Sequence, residues 1–238
     1  LNNNLNILER LNFMSKKIVQ TAGRNQLGEF APEFAHFNDD VLFGENWNNG
    51  DIDLKTRCII TVVALMSSGI TDSSLTYHLQ NAKANGVTVS LDTQWDPAEK
   101  WELDYTEVLP LIDLFLPNEK ELMCLTGSKT IEEGINKITP YINNAVIKCG
   151  NQGSLLIKKD GTMSLLKPYL NTNVVDAIGA GDSFNAGFVY GMLKEGILKE
   201  QVKGLGLEDW GRLTAVASKF SSSVCQSPFN YVDEDFEV

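Results

Sequence analysis

The run Val175-Asp176-Ala177-Ile178-Gly179-Ala180-Gly181-Asp182-Ser183-Phe184 holds the sharpest chemical signal in the chain. Gly179, Ala180 and Gly181 leave consecutive backbone N–H groups open where a helix begins. Such a nest attracts an anion, and the helix dipole adds to the attraction. It suits a bound phosphate, and equally the charge that develops on a phosphoryl group in transfer. Asp182 follows on the first helical turn, where a carboxylate can take the proton of an attacking hydroxyl. The same string also has a plainer meaning, a tight turn with Asp182 as the N-terminal cap of its helix.

Other residues carry groups able to do chemistry. Asn118 and Glu121 have the spacing of a capping box, and their hard oxygens also suit Mg²⁺ held largely through water and phosphate. Gly150 and Gly153 bracket a turn between two strands. Asp92 ends a β-branched run and could simply cap the loop that follows, in which Trp95 and Trp101 read as packing residues. His78 titrates near neutrality and could act as a general acid or base. It reads as well as an inert histidine on a half-apolar helix face.

The elements that must position these groups change character near Gly86. Before it the apolar spacing is helical. One helix runs from Leu54 to Met66 behind Asp51 or Asp53, and its stretch Cys58–Met66 reads as buried core. A second opens at Thr71 or Asp72, places Leu75, His78, Leu79 and Ala82 on one face and stops at Gly86. One or two short helices are expected around Pro32. After Gly86, strands are expected at Val87–Leu91, Leu114–Leu116, Ala145–Lys148, Ser154–Ile157 and Met163–Leu166, the last two joined by an Asp160-Gly161 hairpin turn. Helices are expected at Glu119–Leu125, Thr130–Ile142, Asp182–Lys194 and around Leu213. That is an α/β arrangement with a mostly parallel sheet, whose ligands belong at the carboxyl ends of its strands.

The 238 residues carry 20 Lys+Arg against 31 Asp+Glu, a formal net charge of −11, which disfavours nucleic acid as a partner. No apolar run approaches the roughly 18 to 20 residues that span a bilayer, so no membrane partner is expected. Cys58, Cys124, Cys149 and Cys225 are scattered without a C-x-x-C pair, against a zinc site or disulfide framework and for a reducing cytoplasm. Residues 1–15, rich in Asn, read as a disordered leader.

Two family resemblances follow. Asp176-Ala177-Ile178-Gly179-Ala180-Gly181-Asp182-Ser183-Phe184 resembles the C-terminal signature of the ribokinase/PfkB sugar kinases. Upstream, Asn118-Glu119-Lys120-Glu121 resembles that family's N-x-x-E motif. Val146 to Gly153 resembles its strand and G-x-x-G turn along ATP, and Asp92-Thr93-Gln94 resembles its D-x-N loop, with Gln94 in place of Asn. This resemblance, over residues 87–238, implies the C-terminal half of a ribokinase-like sheet with flanking helices. It implies Asp182 as catalytic base and Gly179, Ala180 and Gly181 as anion hole. Asn118, Lys148, Gly150 and Gly153 would be nucleotide contacts, Glu121 an indirect Mg²⁺ ligand, and Asp176 a candidate for an activating monovalent cation such as K⁺. ATP, Mg²⁺ and a small sugar are the implied ligands.

Residues 16–86 instead resemble the all-helical carboxymuconolactone decarboxylase-like family, on Gly23-Arg24-Asn25-Gln26-Leu27-Gly28-Glu29-Phe30, Phe43-Gly44-Glu45, Asp53-Leu54-Lys55-Thr56-Arg57 and Tyr77-His78-Leu79-Gln80-Asn81. The redox branch of that family carries C-x-x-C ahead of its histidine; here Thr71 and Ser74 occupy those positions, so no thiolate is available. The combined expectation is a PfkB-type kinase, impaired because residues 1–85 supply no sugar-binding half. The alternatives are a helical enzyme using His78 and a non-catalytic oligomer or fusion remnant. A half-sheet with an open edge is expected to self-associate as a homo-oligomer.

Overall fold

The computed structural model describes residues 17–171, 173–229 and 231–232. The leader expected over residues 1–15, and all but the first residue of the acidic tail Val232–Val238, lie outside the described residues. The chain divides into two compact units, residues 1–87 and 88–238.

The first unit is helical. α1 (Ala22–Leu27) and α2 (Pro32–His36) lead into a wider-wound stretch, Phe37–Asn46, closed by an i→i+5 bond from Trp47 N–H to the Leu42 carbonyl. Thr21, at the N-cap of α1, contributes no side-chain cap. The buried Asp39 caps the helix instead, accepting from the N–H groups of Gly23 and Arg24, both at 2.9 Å. Gly23 permits this, since a Cβ there would stand 2.8 Å from Asp39 Oδ1. α3 (Leu54–Ser67) starts at Asp53, whose carboxylate accepts from Thr56 N–H at 3.0 Å. α4 (Ser73–Ala84) starts at Asp72 in the same manner. These two packed helices bury Cys58 from one side and Leu75, Leu79 and Ala82 from the other.

The expected buried core of α3 is a correction. Cys58 is enclosed, whereas Ile60 and Val63 are 54% and 56% exposed, and Ile59 and Met66 are exposed with them. The helix is apolar around much of its circumference, but two packed helices cover one stripe of each other and no more.

In the second unit, β1 (Ser90–Leu91), β2 (Leu114–Phe115), β3 (Asn144–Lys148), β4 (Ser154–Lys158) and β5 (Met163–Leu166) lie side by side in chain order. β1, β2 and β3 run parallel, and β4 is antiparallel to both its neighbours. β5 therefore returns to the direction of the first three, and four of the five strands point one way, the mostly parallel sheet expected. α5 (Tyr105–Val108), α6 (Glu119–Thr126) and α7 (Ile131–Ile138) belong to the crossovers that parallel neighbours require. α8 (Ala180–Lys194), the short α9 (Lys199–Val202) and α10 (Leu207–Val224) follow the hairpin.

Alternation divides the strands between two layers. Leu114, Leu116, Val146 and Leu156 join Phe184 and Phe188 of α8 and Trp210, Leu213 and Ala217 of α10 in one core. Phe115, Ile147 and Ile157 point the other way and are also buried, and α6 packs on β3. α8 and α10 approach closely because Gly187 has no side chain; a Cβ there would lie 3.0 Å from Ala217 Cα. That contact fixes the rotation of α8 and so the aim of its first turn.

Candidate active site

The nest loop is held from both ends. Val175 and Asp176 donate their N–H groups to the Cys225 carbonyl at the end of α10, at 2.8 and 3.2 Å. The Asp176 carboxylate accepts from Ile178 N–H at 2.9 Å. Gly179 then takes φ +75°, a left-handed conformation that reverses the chain into α8 and that glycine adopts without strain. Ser221 of α10 donates its hydroxyl to the Ala180 carbonyl at 2.7 Å. Ala180 N–H turns back to the Ala177 carbonyl at 3.2 Å, so this amide is already engaged. The orphan donors that any helix N-terminus presents begin at Gly181.

Asp182 stands on that first turn, exposed, with no hydrogen bond or ion pair among the described residues. It borders a cavity of about 580 Å³, together with Asp92, Glu121, Lys148 and Gly179–Gly181. Asn118, Gly150 and Gly153 also border it, as do Tyr169, Ser218 and Cys225. That volume lies within the roughly 300–1,000 Å³ of small-molecule sites.

Asn118 and Glu121 form the capping box that their spacing predicts, with Glu121 N–H donating to Asn118 Oδ1 at 2.9 Å and Asn118 N–H to Glu121 Oε2 at 2.8 Å. Local structure thus explains both residues, yet the carboxyl group is also buried at the cavity. Burial pushes its pKa up; the Asn118 N–H opposes this, the Asp92 charge adds to it, Lys148 opposes it and Asp182 adds to it. Burial likewise raises the Cys225 thiol, with Asp176 adding to the effect, so this cysteine is held as the thiol.

Lys148, at the end of β3, is ion-paired to Asp92 at 2.6 Å, and Asn185 Nδ2 donates to the same Asp92 oxygen at 2.5 Å. The partners are 56 and 93 residues apart in sequence. Sequence pattern alone marks Asp92 as a loop residue and gives Asn185 no distinct role. One signal could have found Asn185: it follows Asp182 by three, on the same face of α8. Thr93 Oγ1 and Asn185 Oδ1 are buried beside this group without hydrogen-bond partners among the described residues, polar atoms suited to a bound ligand or water.

Trp95 borders the cavity and is 46% exposed, with Trp101 against its ring at 5.5 Å, so it is less a packing residue than its sequence suggests. Asp176 does not figure among the cavity residues. No cluster of three or more His, Cys, Asp or Glu side chains converges among the described residues. The cavity thus offers carboxylate and amide oxygens from Asp92, Asn118, Glu121 and Asp182, hard donors of the kind that meet a water- and phosphate-held Mg²⁺, and no cage of protein ligands among the described residues.

A profile of the pfkB family carbohydrate kinases matches residues 17–227. The chain belongs to the pfkB family. The match begins well before residue 86 and takes in the helical segment, in which no separate carboxymuconolactone decarboxylase-like domain is shown. An uncharacterized sugar kinase of Archaeoglobus fulgidus is 35% identical over 126 residues, 53% of this chain and 46% of that protein. The ribokinase of Lactococcus lactis is 33% identical over 125 residues, 52% of this chain and 36% of that protein. Among solved structures, Arabidopsis thaliana ribokinase complexed with ribose and ATP superposes with a TM-score of 0.53 at 26% identity, over 66% of this chain and 48% of that one. The chain spans less than half the length of these pfkB relatives.

His78, in the helical unit of this pfkB chain, lies among rings. Trp47, Phe43 and Tyr77 have centroids 5.3, 6.4 and 5.1 Å away, and His78 Nδ1 is buried without a hydrogen-bond partner among the described residues. Burial lowers its pKa, favouring the neutral imidazole. No carboxylate is hydrogen-bonded to it among the described residues, which is the geometry of a packed histidine. No helix among the described residues is long and apolar enough to cross a membrane.

Proposed function

We propose that the chain binds ATP in this cavity and transfers the γ-phosphoryl group to a sugar hydroxyl. The observation that carries the reading is Asp182, an exposed carboxylate without a partner among the described residues, on the first turn of α8 at the border of the cavity. Membership of the pfkB family supports it. In the transfer, the bond from γ-phosphorus to the bridging oxygen breaks, the sugar oxygen bonds to phosphorus, and ADP leaves. Asp182 takes the hydroxyl proton as that bond forms.

The N–H groups of Gly181 and Asp182, ahead of the Ser183 N–H that closes on the Gly179 carbonyl, stabilise charge on the transferring group together with the dipole of α8. Asn118, Lys148, Gly150 and Gly153 line the cavity and are the proposed contacts of the polyphosphate. Mg²⁺, when bound, supplies charge neutralisation between the phosphates, and Glu121 would hold it through water. Asp176 keeps one carboxylate oxygen outside its turn bond and is the proposed K⁺ contact, so turnover in K⁺ is expected to exceed turnover in Na⁺. A reducing cytoplasm is the proposed setting, on four scattered cysteines without a C-x-x-C pair.

The test is sugar-dependent ADP release across a panel of acceptors, with Asp182→Asn as control. Release that continues undiminished in the variant would remove Asp182 as the base.

A further inference from the structure

Lys148 is the one Lys or Arg among the described residues that border the cavity. Three carboxylates border it too, Asp92, Glu121 and Asp182. A polyanion entering there meets repulsion unless Lys148 is held where the phosphates lie. Lysine is a compact charge on a flexible stem, and fixing it requires a tether. The structure provides one: Asp92 Oδ2 accepts from Lys148 at 2.6 Å and from Asn185 at 2.5 Å, while Gln94 N–H donates to Asp92 Oδ1 at 3.3 Å. The tether thus draws on the loop after β1, the end of β3 and the first turns of α8.

Its effect is to set the ammonium against the nest. A Cβ built on Gly181 would stand 3.5 Å from Lys148 Nζ, so the amine lies beside the turn where the helix presents its open N–H groups. The side chains of Lys148 and Asp92 are 13% and 15% exposed. A pair this buried gains little net stability, because desolvation offsets the attraction. An ammonium has three donors, and with one given to Asp92 two are left for a ligand.

We infer that Lys148 supplies the fixed positive charge for a polyphosphate in this cavity, and that Asp92, backed by Asn185, is the positioning residue that holds it there. The inference rests on the phosphoryl-transfer reading for the identity of its natural ligand. The charge itself is probed with inorganic tripolyphosphate.

The full chain is titrated with tripolyphosphate, adenosine and ATP, and the melting temperature of each unliganded variant is recorded. Lys148→Met is expected to weaken tripolyphosphate and ATP by about ten- to a hundredfold, as loss of a charge-assisted bond does, with adenosine changed by less than about twofold. Asp92→Asn and Asp92→Ala both remove the charge, and only the first keeps an acceptor. Asp92→Ala is therefore expected to bind tripolyphosphate at least about threefold more weakly than Asp92→Asn, a difference that vanishes with Lys148→Met present because the two residues act as one unit. If Lys148→Met alone fails to fold around a stranded Asp92, Lys148→Met combined with Asp92→Asn lacks that charge and gives the same readout.

Equal losses for adenosine and tripolyphosphate would make the pair structural and overturn the inference, as would equal binding by the two Asp92 variants. ATP binding untouched by Lys148→Met defeats the inference and leaves the kinase reading standing. Lys148-dependent binding of tripolyphosphate without any binding of adenosine upholds the inference and defeats the nucleotide reading. A wild-type chain that binds no polyphosphate defeats both.

Discussion

In residues 88–238 apolar side chains meet across a sheet. Phe115, Phe188 and Trp210 are each at most 1% exposed, and both faces of the strands carry helices. In residues 1–87 the helices are as well capped, yet Phe30, Phe34, Ile60 and Val63 are all more than half exposed. None of the largest fully buried side chains among the described residues precedes Leu109. Both units obey their local rules, but only the second gives its apolar residues two layers to be buried between. The difference also separates their polar groups. In the second unit a rigid scaffold aims Asp182, Lys148 and Glu121 at one cavity, whereas in the first His78 is packed among aromatic rings.

The largest test of this contrast is chemical. Asp182→Asn is expected to lower sugar-dependent ADP release by about 10²- to 10⁴-fold, the range for a lost general base, while His78→Ala leaves it unchanged. A His78→Ala variant that loses turnover would reverse the assignment of roles. The next test concerns packing. Phe188→Ala is expected to cost about 3–5 kcal/mol, whereas Ile60→Ser or Val63→Ser in α3 stays within about 0.5 kcal/mol. Denaturant titrations of the full chain read both, and a comparable cost in α3 would show that its outer face is covered.

Third, Mg·ATP at a hundredfold excess over its Kd is expected to stabilise the chain by about 2.7 kcal/mol. Hydrogen exchange should place the added protection in residues 88–238; protection confined to residues 1–87 would move the ligand to the wrong unit.

Two smaller effects are pH-dependent. Glu121 has a raised pKa, so between its ordinary and raised values the folded chain binds the proton more than the unfolded chain does. Its contribution to stability is therefore lost as pH rises through that window. Glu121→Gln keeps an acceptor for the capping box and removes the penalty. Its melting temperature is expected to equal or exceed wild type near pH 7, with the advantage shrinking toward pH 4. His78 is shifted the other way, its pKa lowered by burial below the ordinary 6.5. The unfolded chain then takes up the proton first, and stability is lost as pH falls below that value. His78→Leu should flatten that acid loss in the exchange protection of residues 1–87; an unchanged profile would place the titration elsewhere.

The most legible features in the sequence were those settled within one or two helical turns. The caps at Asp53 and Asp72, the Asn118–Glu121 box, the hairpin at Asp160-Gly161 and the turn at Gly179–Gly181 into a helix all depend on neighbours a few positions away. The mostly parallel sheet followed from the alternation of apolar runs with helices, whereas the order of its strands came only from their pairing. The burial of α3 was not legible, because periodicity shows that a helix has an apolar stripe and not how much of it will be covered. The extent of the family match was also missed, since its most specific string lies near the C-terminus whereas the match reaches back to residue 17.

Sequence alone determined where the chain turns, which residues cap its helices and which string marks the nest, because backbone preference and capping act over a few residues. Tertiary structure decided that Lys148 and Asn185 both meet Asp92, that Ala180 spends its amide on Ala177, and that Asp182 has no partner among the described residues. Such pairings depend on how the sheet brings the ends of β1, β3 and α8 together. Side-chain reach is a few ångströms, and no local pattern records which distant residues will fall within it.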